Sequence, residues 1–216
     1  MLNVLITHES SGVVRNAFRA LGHNAWSCDL LPADDNSPFH YQCDWREAIK
    51  KQKWDFIGSH PACTYLCVSG IHWNDRGRGW DKTNESLEEV RELMQLPIPG
   101  YIENPVGIIS TKIRKPDQIV QPYEFGDDAS KKTCLWLRGG LPKLIKDEIP
   151  VAGRIVRNLY GKPLATRWSN QTDSGQNKLA PSATRWKERS KTYSGIANAM
   201  AKQWSNYLVA NPTTNT

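Results

Sequence analysis

No stretch of this 216-residue chain approaches the roughly 20 apolar residues that a helical bilayer span needs. The longest apolar run near its start, Val4-Leu5-Ile6, is also far too short for a signal-peptide core. A membrane role is therefore not expected, and the chain reads as cytoplasmic. Its five cysteines, at 28, 43, 63, 67 and 134, are odd in number and irregular in spacing, which argues against a disulfide framework and for reduced thiols. There is no internal repeat. With 39% hydrophobic and 23% charged residues, the composition also excludes a disordered chain.

Acidic residues are scarce in one segment. Between Val151 and Tyr193 only Asp173 and Glu188 oppose nine Lys or Arg (154, 157, 162, 167, 178, 185, 187, 189 and 191), a surplus of seven in a chain whose formal net charge is +6. The remainder is close to neutral, so the charge forms a localised footprint. A polyanion is the commonest partner for such a footprint, while solvated lysines that keep the protein soluble are the plainer account.

What is present, besides nine Trp, is an alternation of short apolar runs with helical patterns over the first hundred residues. Leu2 to Ile6, Ala25 to Cys28 and Trp54 to Gly58 read as strands. Gly12 to Leu21 reads as a helix, and so does Lys82 to Gln95, opened by capping chemistry at Thr83-Asn84-Glu85 with Leu87, Val90 and Met94 on one face. Pro32 to Tyr41 reads as a polar loop. Such alternation predicts an α/β fold, a Rossmann-like, mostly parallel sheet with helices on both faces. Ile119 to Phe125 and Thr133 to Leu137 predict an antiparallel pair at one edge. Val151 to Ala183 reads as loop. Ser194 to Val209 recovers a helix whose Ile196, Met200, Trp204 and Leu208 form one apolar stripe. The expected organisation is a core over 1–150, a basic arm or reduced insertion over 151–193, a helix over 194–209 packing back on the core, and a disordered tail over 210–216.

Two strand ends carry chemistry. Asp55-Phe56-Ile57-Gly58 runs into His60-Pro61-Ala62-Cys63-Thr64, and Tyr101-Ile102 runs into Glu103-Asn104-Pro105. Both deliver a reactive group to the carboxyl edge of the sheet, where open α/β sheets hold ligands. A thiol and a carboxylate facing one crevice suggest covalent catalysis with an acid beside it. A buried inert Cys and a solvated Glu are the plainer readings of each taken alone. In the first loop Ser11 and Gly12 form a tight turn between strand and helix, and Asp29 ends the second strand, as in nucleotide-binding sheets.

Taken in order, Ser10-Ser11-Gly12, Asp29, Asp44, Pro61-Ala62-Cys63 and Glu103-Asn104-Pro105 resemble the motifs of the DNA cytosine-5 methyltransferase family. The chain is most similar to its small, often phage-encoded members without a full target-recognition domain. The resemblance runs from Val4 to about Leu137, with an echo from Trp186 to Trp204. It implies the methyltransferase version of the Rossmann-like fold, S-adenosylmethionine as methyl donor, DNA as partner and no metal. It makes Cys63 the nucleophile that adds to cytosine C6. Glu103 becomes the acid that serves N3, which requires it to stay protonated near neutrality. Ser10, Ser11, Gly12, Asp29, Asp44 and Pro61 become the donor site, with Asp44 toward the adenine. The departures are specific. The first loop has one Gly where the family has three, Ala62 and Thr64 replace a Pro and a Gln around Cys63, and Lys131-Lys132 stand near the family's Arg-containing strand.

The same resemblance directs attention to nucleic-acid contacts. Lys131 and Lys132 suit phosphate, and Trp168 and Trp186 among Arg167, Arg185 and Lys187 suit unstacked bases. The Gly70 to Trp80 stretch, with Arg76 and Arg78, is a candidate to fill the gap left by an extruded base. Three rivals stand beside this reading: modification of a free pyrimidine nucleotide or single strand, a zinc-binding module built on His60, Cys63, Cys67 and His72, and a relative that binds DNA without catalysis.

Overall fold

The computed structural model describes residues 1–212. Its centre is a seven-stranded sheet of β1 (Asn3–Thr7), β2 (Asn24–Asp29), β3 (His40–Gln42), β4 (Phe56–Ser59), β5 (Gly100–Pro105), β6 (Gln118–Val120) and β7 (Thr133–Arg138), in the order β3-β2-β1-β4-β5-β7-β6. The first five in that order are parallel; β7 runs antiparallel to both β5 and β6. This is the expected Rossmann-like α/β architecture with its antiparallel edge.

The central strands are short and apolar because both of their faces are covered. Val4, Ile6, Phe56, Tyr101 and Leu135 point into one layer, against α1 (Val13–Ala20) and α7 (Ser194–Ala210). Leu5, Ile57, Ile102 and Trp136 point into the other, under α2 (Trp45–Ala48), α4 (Asp81–Met94) and α5 (Ile109–Lys112). Alternate residues thus serve opposite cores, as the two-residue repeat of a strand requires. Ile196, Met200, Trp204 and Leu208 of α7 are all buried. No helix among the described residues is long and apolar enough to cross a membrane.

Four segments differ from the sequence expectation, each for an identifiable reason. The polar loop 32–41 runs into β3 at His40, which aligns beside Ser27 of β2. The Thr83-Asn84-Glu85 cap is not formed. α4 begins after Trp80, and Thr83 is turned inward, its hydroxyl donating to Tyr65 O (3.1 Å) and accepting from Asn74 Nδ2 (2.8 Å). The strand expected to Phe125 ends at Val120, since Pro122 cannot donate to a ladder and a Gln121–Glu124 capping box opens a turn instead. Finally, 151–183 is not all loop. It contains a hairpin of β8 (Arg154–Arg157) and β9 (Pro163–Arg167), whose basic, exposed residues lack the alternation of a half-buried strand. Of the tail expected over 210–216, Ala210 belongs to α7, and 213–216 lie outside the described residues.

Trp204 joins the C-terminal helix to the sheet. Its ring lies 5.9 Å from Phe56 and 4.9 Å from Tyr101, and its indole N–H donates to Pro142 O at 2.9 Å. Trp204→Ala is expected to cost about 3–5 kcal/mol through the lost burial and the cavity left behind, measured as the fall in unfolding free energy by chemical denaturation.

Candidate active site

β1, β2, β4 and β5 are parallel and release their loops at one edge, where those loops enclose a cavity of about 480 Å³. Beyond β4, the His60 N–H donates to Thr7 O (3.1 Å), Pro61 is buried, and half-buried Cys63 opens a tight turn. That turn is held from several sides. The N–H groups of Leu66 and Cys67 donate to Cys63 O (3.0 and 2.9 Å), and the Ile108 N–H donates to Leu66 O (2.8 Å). Gly107 permits this approach, because a Cβ there would stand 2.0 Å from Leu66 O. Across the cavity, Asn104 is 2% exposed and its amide donates to Pro61 O at 2.7 Å, so the end of β5 fixes the turn that carries Cys63.

Glu103, 6% exposed, precedes that Asn on the cavity wall. Its Oε2 accepts from the Thr192 hydroxyl (3.1 Å) and lies 4.0 Å from His60 Nε2. His60 Nε2 is 2.7 Å from the buried Tyr101 hydroxyl. Burial pushes His60 down to about 4 and pushes the Tyr101 phenol up. A neutral imidazole accepting from Tyr101 O–H is therefore the state at neutral pH. The Cys63 thiol is pushed up by its neighbour Cys67 and by burial. Cys67 is drawn down to about 5 by the Cys63 thiol, with the Ser69 hydroxyl and the Gly70 N–H adding to it. Of the two thiols, Cys67, one turn from Cys63, is the more readily deprotonated.

The same cavity continues along the ends of β1 and β2. Ser10 and Ser11 line it, together with Asp29, whose Oδ1 accepts from the Leu31 N–H (2.9 Å), and Asp44, which caps α2 by accepting from the Arg46 N–H (2.8 Å). Gly12 does not line it. Its φ of +68° suits glycine, but the space a side chain would take is filled by the Arg15 guanidinium, 2.1 Å from an ideal Cβ. Arg15 itself is fully buried, donates to Ser27 Oγ (2.9 Å) and pairs with Asp35.

Part of the basic arm closes the mouth. α6 (Arg185–Ser190) brings Trp186 and Lys187 to the cavity, with Lys187 Nζ 2.7 Å from Asp34 Oδ1, and Lys131 Nζ donates to the carbonyls of Ser190 (3.4 Å) and Lys191 (3.2 Å). Cys63, Glu103, Ser10, Ser11, Asp29, Asp44, Pro61, Lys131, Trp186 and Lys187 are thus gathered around one space. Lys132, Arg167, Arg185 and Arg76 are not among its lining residues. Trp168 is also elsewhere, stacked on Tyr123 at 4.1 Å with its N–H on Val151 O (3.0 Å), so the ring anchors the arm. The 70–80 segment is bonded to itself. Arg78 staples that segment by donating to Asn74 Oδ1 (2.8 Å) and Gly70 O (2.6 Å).

Among the described residues no group of three or more His, Cys, Asp or Glu is arranged to hold a metal ion, and His72 is exposed at the end of α3 (Val68–Ile71). Residues that sequence reasoning passed over are Thr192, His8 and Glu9. Thr192 meets Glu103 across 89 positions of chain, which no local pattern announces. His8 holds a positive φ of 58° on the cavity wall and bonds Glu89 Oε1 at 3.2 Å.

No family model and no curated protein sequence matches the chain. Among solved structures it is similar to an E. coli protein described as a candidate DNA modification methyltransferase encoded within a prophage. The identity is 18% and the TM-score 0.44, over 63% of this chain and 46% of that one. The chain therefore spans less than half the length of that protein, and a chemical reading of the cavity rests on the cavity itself.

Glu9 is 3% exposed on the cavity wall and accepts from the N–H groups of Val14 (2.7 Å) and Arg15 (3.2 Å). Burial nevertheless pushes its carboxyl up from 4.5 to about 7. An acid raised in the folded state adds stability below its unfolded value, and that contribution is lost as the pH rises through the folded one. Glu9→Gln keeps an oxygen for Val14 and removes the titration. It is expected to flatten the decline in unfolding free energy between pH 4.5 and 7 by up to about 3 kcal/mol. Parallel stability curves for the two proteins would contradict the assignment.

Proposed function

We propose that this protein is an S-adenosylmethionine-dependent methyltransferase acting on C5 of cytosine in DNA. The observation that carries the reading is that Cys63 and Glu103 share one cavity wall, joined by the Asn104–Pro61 hydrogen bond, and that the cavity runs on to Asp29 and the Ser10–Ser11 loop. The order of motifs along the chain points the same way.

The residues present fit the donor. One Asp29 oxygen is held by the Leu31 N–H, which leaves the rest of the carboxylate for ribose hydroxyls, and Leu30, Leu31 and Trp45 offer apolar surface to a purine. Asp44 is already engaged by Arg46, so its contact with an adenine amino group is shared. S-adenosylmethionine in this space supplies an electrophilic methyl group.

The protein's own groups make the base reactive. Cytosine C5 is too electron-poor to attack a methyl donor unless C6 has first been saturated by a nucleophile. Cys63 Sγ bonds to C6 and its proton leaves toward the Cys67 thiolate one turn away. The ring electrons move to N3, where the Glu103 carboxyl serves as the proton donor and C5 becomes nucleophilic. After C5 has been substituted, a water molecule takes the C5 proton, the freed electron pair restores the C5–C6 double bond as Cys63 leaves as thiolate, and Glu103 takes the N3 proton back. Thr192 holds the carboxyl in place. His60, neutral and bonded to Tyr101, lines the wall without adding a charge.

Labelled methyl transfer to unmethylated duplex DNA, with base analysis of the product, tests this. Wild-type protein is expected to yield 5-methylcytosine and Cys63→Ala none. Glu103→Gln is expected to lower turnover about 10²–10⁴-fold, the usual size of a general-acid contribution. Substantial residual turnover in the Cys63 variant would sink the mechanism.

A further inference from the structure

The β8–β9 hairpin carries two large apolar side chains with nothing beneath them. Leu159 is 101% and Tyr160 88% exposed, at the turn between the strands. They are not loose. Asn158 Oδ1 accepts from the N–H groups of Tyr160 and Lys162 (both 2.9 Å), the Asn158 N–H donates to Lys162 O (2.9 Å), and Arg157 donates to Gly161 O (2.8 Å). A turn this well bonded presents its apolar residues in one orientation, and exposing them in water gains nothing for folding.

The ribbon behind the tip is uniformly basic. From Val151 to Arg167 there are four Lys or Arg and no acidic residue, and Arg154 stands directly opposite Arg167, a like-charge pairing that sheets avoid. Asp173 meets Arg154 and leaves Arg157 and Lys162 facing outward. The root is fixed next to the candidate site. Trp168 stacks on Tyr123, and the Asn170 amide brackets Ser130, donating to its O and accepting from its N–H (both 3.0 Å), one residue before Lys131 on the cavity wall. Four or five strand residues put the tip about 15 Å from that root.

We infer that this hairpin is a duplex-DNA contact, with Leu159 and Tyr160 entering a groove against the base steps and Arg157 and Lys162 on the flanking phosphates. Two-stranded ribbons fit a major groove, and apolar side chains at such tips wedge against base steps. The inference rests on the DNA reading above and deepens it, giving the arm a defined point of entry.

The test is fluorescence anisotropy of a labelled duplex with the full chain across a salt series, beside sedimentation of the protein alone. The double variant Leu159→Ala, Tyr160→Ala should keep the melting temperature, bind duplex at least tenfold more weakly, and leave the salt dependence unchanged. Lys162→Gln should instead lower the slope of log affinity against log salt by about 0.9. Equal affinities of parent and double variant overturn the hairpin contact while the DNA reading stands. A parent protein that does not bind duplex overturns both. A dimer that dissolves in the double variant assigns the tip to a second copy of this chain and overturns the proposal as well.

Discussion

The placement of the candidate site depends on one register and one hydrogen bond. β4 and β5 lie side by side with Ser59, the last residue of β4, opposite Ile102, so the chain leaving β4 passes beside Glu103 and Asn104 of β5. The Asn104 amide then reaches 2.7 Å across to Pro61 O and ties the two exits together. A slip of one residue in β5 would exchange Tyr101 with Ile102 between the two cores and turn Glu103 out of the cavity. The buried alternation of Phe56 with Ile57 and of Tyr101 with Ile102 therefore does more than fill space. It brings a thiol four residues past β4 and a carboxylate near the end of β5 to the same cavity.

Glu103 is further defined by residues remote in sequence. Thr192 arrives from the far side of the basic arm, and Lys131 holds the chain that brings it by taking up the carbonyls of Ser190 and Lys191. The Lys187–Asp34 pair closes the same strap over the opposite end of the cavity. Partly exposed ion pairs of this kind contribute little to stability. Their consequence here is positional: they set the segment that completes the environment of Glu103.

The fold was legible because its signals were local. Val4-Leu5-Ile6, Phe56-Ile57 and Tyr101-Ile102 are unbroken apolar runs of strand length, and the four-residue spacing of Ile196, Met200, Trp204 and Leu208 admits only a helix. Cys63 and Glu103 were legible for the same reason, each standing just past or near the end of such a run. What stayed hidden is non-local or ambiguous. Thr83 looks like a cap and is an interior tether. Trp168 looks like a base-stacking ring and is stacked on Tyr123, because an aromatic among arginines has the same pattern whether it faces solvent or its own protein. The β8–β9 ribbon buries no face, so no hydrophobic period marks it.

The first loop shows how a departure from a motif can be read physically. A glycine-rich turn ahead of a helix serves an anionic ligand by baring backbone N–H groups at the helix start. In this chain those groups are already taken: the Val14 and Arg15 N–H groups both donate to the Glu9 carboxyl, and Arg15 fills the hollow over Gly12. An anion at that helix end would have to displace a buried acid, so further glycines would serve no ligand there. Only Gly12 is required, by its φ and by the Arg15 approach. Under the proposed function, the donor is instead met at the Ser10–Ser11 edge and the Asp29 carboxylate, which line the cavity. That arrangement suits a ligand carrying hydroxyls and positive charge, and it selects against one carrying a phosphate chain.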